Sequence, residues 1–133
     1  MKCFNRILLS AVALGLLMTT TAKAETPATL RFPLECTLAA IAKKRNVQLS
    51  KDIPLPTLYH ESTTSFETFK KAVMHQGHDF PQEFSNAYVY VQGKNDIFLI
   101  DSPSYYARHS RFIDDSLAHE LVHYVQVRYQ KYD

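Results

Sequence analysis

Apolar residues recur along the chain with the spacings of short helices and strands. Leu34, Leu38 and Ile41 follow one another at intervals of three or four residues, which predicts a helix over residues 34–47. A second helix is predicted after Ser65, a residue type favoured at the N-cap, and it is expected to stop at residues 76–77. Internal repeats and linker-like tracts are absent from the sequence, so we expect one small domain.

Residues rich in β-propensity lie between the second helix and the C-terminal third. Residues 58–60 are predicted to begin a short strand. Residues 87–91 and 97–100 flank a glycine-containing turn over residues 92–96, which is the pattern of a β-hairpin. Pro103 is expected to end the second strand, and residues 104–110 are expected to form an aromatic-rich loop.

The C-terminal third predicts a long helix that begins near residue 111 or 112. Asp114 and Asp115 suit a first helical turn, and Leu117, Leu121 and Tyr124 form one apolar stripe. The predicted fold class is therefore α+β: N-terminal helices, a short antiparallel hairpin or sheet, and a C-terminal helix.

The first 24 residues have the organisation of a secretory signal peptide. Lys2 and Arg6 precede an apolar core over residues 7–18, and Ala22-Lys23-Ala24 matches an A-x-A cleavage site. The apolar core is too short for a comfortable permanent membrane span. We expect a protein that is exported to the periplasm or secreted after cleavage at Ala24, with residues 25–133 as its single domain.

Removal of the signal peptide changes the charge balance. The full chain has a formal net charge of +2, and loss of Lys2, Arg6 and Lys23 changes it to −1. The only basic cluster that remains, at residues 43–45, suits the C-terminal end of a helix. We therefore expect no nucleic-acid partner.

The most informative motif is H-E-L-V-H at residues 119–123. Two histidines four residues apart share one helix face and can reach one metal ion. Glu120 lies about 100° around the helix from His119, close enough to polarise a water molecule. Zinc acts in such sites as a Lewis acid, and a carboxylate takes the proton of the water. The alternative is a helix whose two histidines are surface polar groups.

Residues 88–126, and above all the stretch HELVHYVQ, resemble the zincin metallopeptidases, most closely the very small exported minigluzincins. The resemblance implies that His119 and His123 bind Zn²⁺ and that Glu120 is the general base. It also implies that the strand before the helix is an edge strand that pairs with an extended peptide or protein substrate. That strand is expected to contain Ile97, Phe98, Leu99 and Ile100.

The third zinc ligand is the part of the family pattern from which this chain departs. Metzincins have it ten positions after the first histidine, where this chain has Tyr129, and gluzincins have a glutamate on a later helix. Downstream of His123 the only carboxyl groups belong to Asp133, about 15 Å further along a helix, so the third-ligand segment is expected to be missing. The donor would then come from a second copy, from nowhere, or from an upstream residue: His109, Asp101, His60 or Glu61.

A second histidine cluster contains His75, His78 and Asp79, with Gly77 interrupting it at a predicted helix end. Metal binding is one interpretation of this cluster. Because histidines near a helix C-terminus interact with its carbonyl groups, we expect that local role instead.

Two functional hypotheses follow from these residues. The first is an exported zinc-dependent metallopeptidase that hydrolyses peptide bonds, and the retention of Glu120 favours it. The second is a non-catalytic or truncated zincin-like domain that binds metal or a protein partner without turnover, and the missing third ligand favours it. A chance motif on an unrelated fold is the remaining alternative, and the oligomeric state is open.

Overall fold

The computed structural model describes residues 24–132, which form four α-helices and a three-stranded sheet, so the predicted α+β class is confirmed. The predicted signal peptide falls on residues 1–23, outside the described residues, apart from Ala24. The elements are α1 (Leu34–Lys44), β1 (Thr57–His60), a 3-10 turn (Glu61–Thr63), α2 (Phe66–His75), β2 (Ala87–Val91), β3 (Lys94–Leu99), α3 (Pro103–His109) and α4 (Ile113–Tyr129).

The sheet is mixed, with strand order β1-β3-β2. β2 pairs with β3 antiparallel, with Tyr88 opposite Ile97, whereas β1 pairs with β3 parallel, with Tyr59 opposite Phe98. The expected antiparallel hairpin or sheet is therefore found only in the β2-β3 pair, and the parallel β1-β3 pair was not predicted. The parallel pairing results from the connection through α2, which carries the chain back so that β3 runs in the same direction as β1.

The predicted hairpin is confirmed, but its turn is shorter than the sequence suggested. The turn contains two residues, Gln92 and Gly93, whose φ angles are 52° and 82°. Positive φ at both central residues is the signature of a type I′ turn, which matches the twist of the flanking strands. Pairing consequently resumes at Lys94 instead of Ile97.

The two predicted N-terminal helices are found, and Ser65 caps α2 as expected, since its hydroxyl accepts a 3.2 Å bond from the Thr68 N–H. The prediction of a loop over residues 104–110 was wrong, because α3 occupies most of this segment. Ser102 caps α3, and Pro103 stands in its first turn, where a missing N–H costs no hydrogen bond. Pro103 thus both follows a strand and starts a helix.

The two faces of the sheet carry different helices. α4 and α1 cover one face, and α2 covers the other. Alternation along β3 explains this arrangement, since Ile97 and Leu99 face α4 whereas Phe98 faces α2. Each large side chain buried in this way contributes about 1.5–3 kcal/mol. The fully buried apolar residues of α4 are Leu117, Leu121, Tyr124 and Val125.

Asp114 ties the start of α4 to the N-terminal segment. Its Oδ1 accepts the backbone N–H groups of Arg31 and Phe32 at 3.0 and 3.1 Å, and its Oδ2 lies 3.1 Å from Arg31 Nε. Asp114 is buried, so these charge-assisted bonds satisfy a carboxylate that water cannot reach freely. Within residues 24–132, no helix combines the length and the apolar character that crossing a membrane requires.

Candidate metal site

His119 and His123 lie one turn apart on the uninterrupted helix α4, and both are exposed. Their Nε2 atoms are 3.2 Å apart, and their ring planes meet at 78°. Without a metal, this separation suits one imidazole N–H donating to the unprotonated nitrogen of the other ring. The helical spacing has therefore brought two potential metal donors to one point on the surface.

The separation of these nitrogens fits the geometry of zinc. Two nitrogens that are each about 2.0–2.1 Å from a tetrahedral zinc ion lie roughly 3.3–3.4 Å from one another. The Nε2 atoms of His119 and His123 are within about 0.2 Å of that separation. The distance between the two nitrogens is therefore compatible with both imidazoles binding one ion.

Glu120 lies beside the histidines, but on the inner side of α4. It is buried, and burial raises the pKa of its carboxyl group above the ordinary value. Positive charge on His119 or His123 and the backbone N–H of Tyr88 oppose this rise. A carboxyl group with a raised pKa is a suitable proton acceptor.

Tyr88 belongs to β2, which has a free edge. Val91 and Lys94 close the two-residue turn as a hydrogen-bonded pair, so the backbone groups of Tyr88 and Tyr90 point away from β3. The N–H of Tyr90 donates to Gln76 Oε1 at 2.8 Å, and the N–H of Tyr88 faces Glu120. β2 is therefore the strand next to the candidate site.

The predicted substrate strand lies elsewhere in the sheet. Ile97, Phe98 and Leu99 belong to β3, which is the central strand and has partners on both sides. Ile100 follows the end of β3, and its N–H donates to Asn86 Oδ1 at 2.8 Å. The assignment of these residues to an edge strand was wrong, because β1 pairs in parallel with the side of β3 that would otherwise be free.

Across the described range 24–132, no three side chains of histidine, cysteine, aspartate or glutamate form a group that could hold a metal ion. Two of the upstream candidates for a third ligand interact with each other instead. Asp101 is buried and accepts bonds from the backbone N–H and hydroxyl of Ser62 at 3.0 and 2.5 Å. His60 Nδ1 lies 3.9 Å from Asp101 Oδ2. Asp101 thus joins the ends of β1 and β3.

The other two upstream candidates line a different cavity. His109 stands in the last turn of α3, with its ring 4.6 Å from the ring of Tyr105. His109 and Glu61 both border an open cavity of about 580 Å³ that also includes Glu83 and Arg108. Burial, Asp101 and Glu83, in that order, raise the pKa of Glu61. The structure therefore does not bring His109 or Glu61 together with the α4 histidines in a metal-binding group.

The second histidine cluster serves the end of α2. His75 Nδ1 lies 2.7 Å from the carbonyl oxygen of Lys71, and His78 Nε2 lies 3.2 Å from the side-chain nitrogen of Gln76. Gly77 separates the two histidines with a φ of +86°. The expected local role of His75 at the helix C-terminus is confirmed.

Arg128, near the C-terminal end of α4, packs its side chain against β2. Its guanidinium carbon lies 4.4 Å from the centre of the Tyr90 ring, which places a positive charge beside β2. Its Nε is buried and has no hydrogen-bond partner within the described part of the chain.

Comparisons of the chain with protein-family models, with curated proteins and with solved structures find no match.

Proposed function

We propose that this protein is an exported, zinc-dependent metallopeptidase-like protein of the zincin type, with its site on α4. The observation that carries the proposal is the 3.2 Å separation of the Nε2 atoms of His119 and His123, which fits the two-histidine bite of tetrahedral zinc. The buried carboxyl group of Glu120 beside them supplies the base that pure metal binding does not need.

His119 and His123 would hold the ion, and the remaining chemistry belongs to Glu120. When bound, zinc supplies a Lewis acid that lowers the pKa of a water molecule and polarises a carbonyl group. The carboxylate of Glu120 accepts the proton of the attacking water and then delivers it to the leaving nitrogen. Burial favours this exchange, since a raised pKa brings the carboxyl group closer to the pH at which the protein works.

The substrate of this proposal is an extended peptide bound along β2. Tyr88 and Tyr90 present their backbone groups to the free edge of β2, and an extended peptide can add to such an edge as a further strand. Gln76 occupies the N–H of Tyr90 and Glu120 faces that of Tyr88, so a bound peptide would have to displace both side chains from these N–H groups. β2 replaces residues 97–100 in this role because β2 borders Glu120.

A second candidate function is metal or partner binding without turnover. It is favoured by one observation: the described residues bring no third metal donor to His119 and His123. Catalytic zinc sites hold the ion with three protein ligands and keep one position open. A site with two ligands would bind zinc loosely and would hydrolyse peptides slowly or not at all.

Zinc titration calorimetry and a peptide-hydrolysis assay on the same variants test both candidates. Glu120→Gln is expected to retain zinc and to lose about 10²–10⁴-fold in hydrolysis, because an amide cannot accept the proton. Glu67→Gln on α2 is the matched control, since Glu67 is exposed and contacts only Lys70 among the ionic pairs of the described chain. Zinc binding without hydrolysis in the parent protein would select the non-catalytic candidate, and absence of zinc binding would reject both the metallopeptidase and metal binding without turnover.

A further inference from the structure

We infer that one zinc ion joins two copies of this chain through α4, with His119 and His123 of each copy as its four ligands. The inference rests on the proposed zinc site and names the partner of that site as a second copy of the same chain. It starts from the position of the histidines on the surface of α4 and from the number of donors that one copy provides.

The donors of α4 face outward. His119 and His123 are exposed, whereas Glu120 and Leu121 between them are 6% and 0% exposed. An ion held by the two Nε2 atoms therefore lies at the outer surface of the helix. Two of its four tetrahedral positions are taken by one copy, and the other two point away from that copy.

A second copy can fill both outward positions. The described residues of one chain provide no third donor at this point. A two-fold axis through the ion brings an identical pair of nitrogens to its other side, with the same 3.2 Å separation. Such an axis closes the assembly at two copies, because each copy offers the surface that it also receives.

The surroundings of the histidines on α4 permit a close approach of two helices. Ala118 and Val122 are half-buried, small and uncharged, and they border one side of the histidine face of the helix. Asp115, one turn before His119, is exposed, and its Oδ2 already accepts the backbone N–H of Phe112 at 2.8 Å. Positions 115, 118, 119, 122 and 123 carry no positive charge when the histidines are neutral. Two copies that approach through these positions would therefore not be repelled by cations.

The assembly has a consequence for the proposed activity. A zinc ion with four protein ligands has no open position, which is the arrangement of a structural site. The two-copy form is therefore closed to substrate, and hydrolysis by the proposed mechanism requires release of one copy, which opens positions on the ion.

Sedimentation velocity and zinc titration calorimetry on the purified protein test this inference. With a chelator, the protein is expected to sediment with the mass of one chain. Zinc at half an equivalent is expected to double that mass, with a calorimetric end point of one zinc per two chains, and renewed chelation is expected to reverse the change. His119→Ala and His123→Ala should each prevent the doubling, and circular dichroism checks that both variants are folded. The double variant His75→Ala/His78→Ala is the matched control and should behave as the parent protein.

The outcomes separate this inference from the proposed function. One zinc per chain at the mass of a single chain would overturn the two-copy site and leave the proposed zinc site standing. No zinc binding would overturn both. A doubled mass that persists with the chelator, or in folded His119→Ala, would show an interface that does not depend on the zinc ligands and would also overturn the inference.

Discussion

Histidine pairs occur at two helices of this protein, and the two pairs differ in what their rings contact. On α4, His119 and His123 bring their Nε2 atoms to 3.2 Å from each other. At the end of α2, His75 and His78 turn to different partners, the carbonyl oxygen of Lys71 and the side chain of Gln76. Both pairs are exposed, so exposure does not distinguish them.

The difference comes from the backbone between the histidines. α4 continues without interruption from Ile113 to Tyr129, so a spacing of four residues places both rings on one face. α2 ends at His75, and Gly77 adopts a left-handed conformation with a φ of +86° before His78. A histidine spacing therefore predicts a metal site only where the helix that contains it is continuous.

The largest expected effect is on zinc affinity when the α4 pair is broken. His119→Ala or His123→Ala should weaken zinc binding by more than about 100-fold, because a single imidazole remains. His75→Ala/His78→Ala should leave the affinity nearly unchanged. Calorimetric titration of the variants measures the difference, and an equal loss in the α2 double variant would show that the α2 histidines contribute to zinc binding as much as the α4 pair does.

The second largest effect is expected on stability, when a core residue of α4 or of α2 is truncated. Leu121 lies between the α4 histidines in the sequence but is fully buried in the core. Leu121→Ala should lower the free energy of unfolding by about 2–5 kcal/mol. Val73→Ala in α2 should cost less, since fewer atoms are removed and Val73 is 9% exposed. Urea denaturation followed by circular dichroism compares them. A larger loss for Val73→Ala would mean that α2 supports the fold more than α4 does.

A smaller effect is expected at the residue that ends α2. Gly77→Ala should lower the stability by about 1–2 kcal/mol, because a side chain disfavours a φ of +86°. An added Cβ would meet no other atom within 4 Å, so a steric clash would not contribute. Thermal unfolding measures the loss, and zinc affinity should stay constant. A neutral result would argue against a left-handed conformation at this position.

The smallest effect is a gain of zinc binding on α2. Lys71→His places a second imidazole one turn before His75 on an exposed face. Added to the His119→Ala variant, it should raise the remaining zinc affinity by about two- to fivefold. Lys70→His, five residues before His75, is the control and should give no increase, because its side chain leaves that face. If both variants gain equally, continuous helical spacing is not what selects the α4 pair.

Local features were predictable from the sequence to the extent that they depend on near neighbours. The spacing of Leu117, Leu121 and Tyr124 predicted the apolar side of α4, and all three residues are buried. Ser65 signalled the start of α2, and the glycine between two β-rich segments signalled the hairpin. The prediction of a loop in place of α3 was wrong because Ser102 and Pro103 start a helix, whereas Pro103 was interpreted only as the end of a strand.

What the sequence determined by itself was the pair of histidines on one helix face, since an interval of four residues in a continuous helix defines that geometry. Tertiary structure decided which strand borders the site, because the parallel pairing of β1 with β3 leaves β2 as the neighbour of Glu120. It also decided that Asp101 joins Ser62 and His60 instead of the α4 histidines. Such relations depend on contacts between residues far apart along the chain, and helical or strand periodicity carries no information about them.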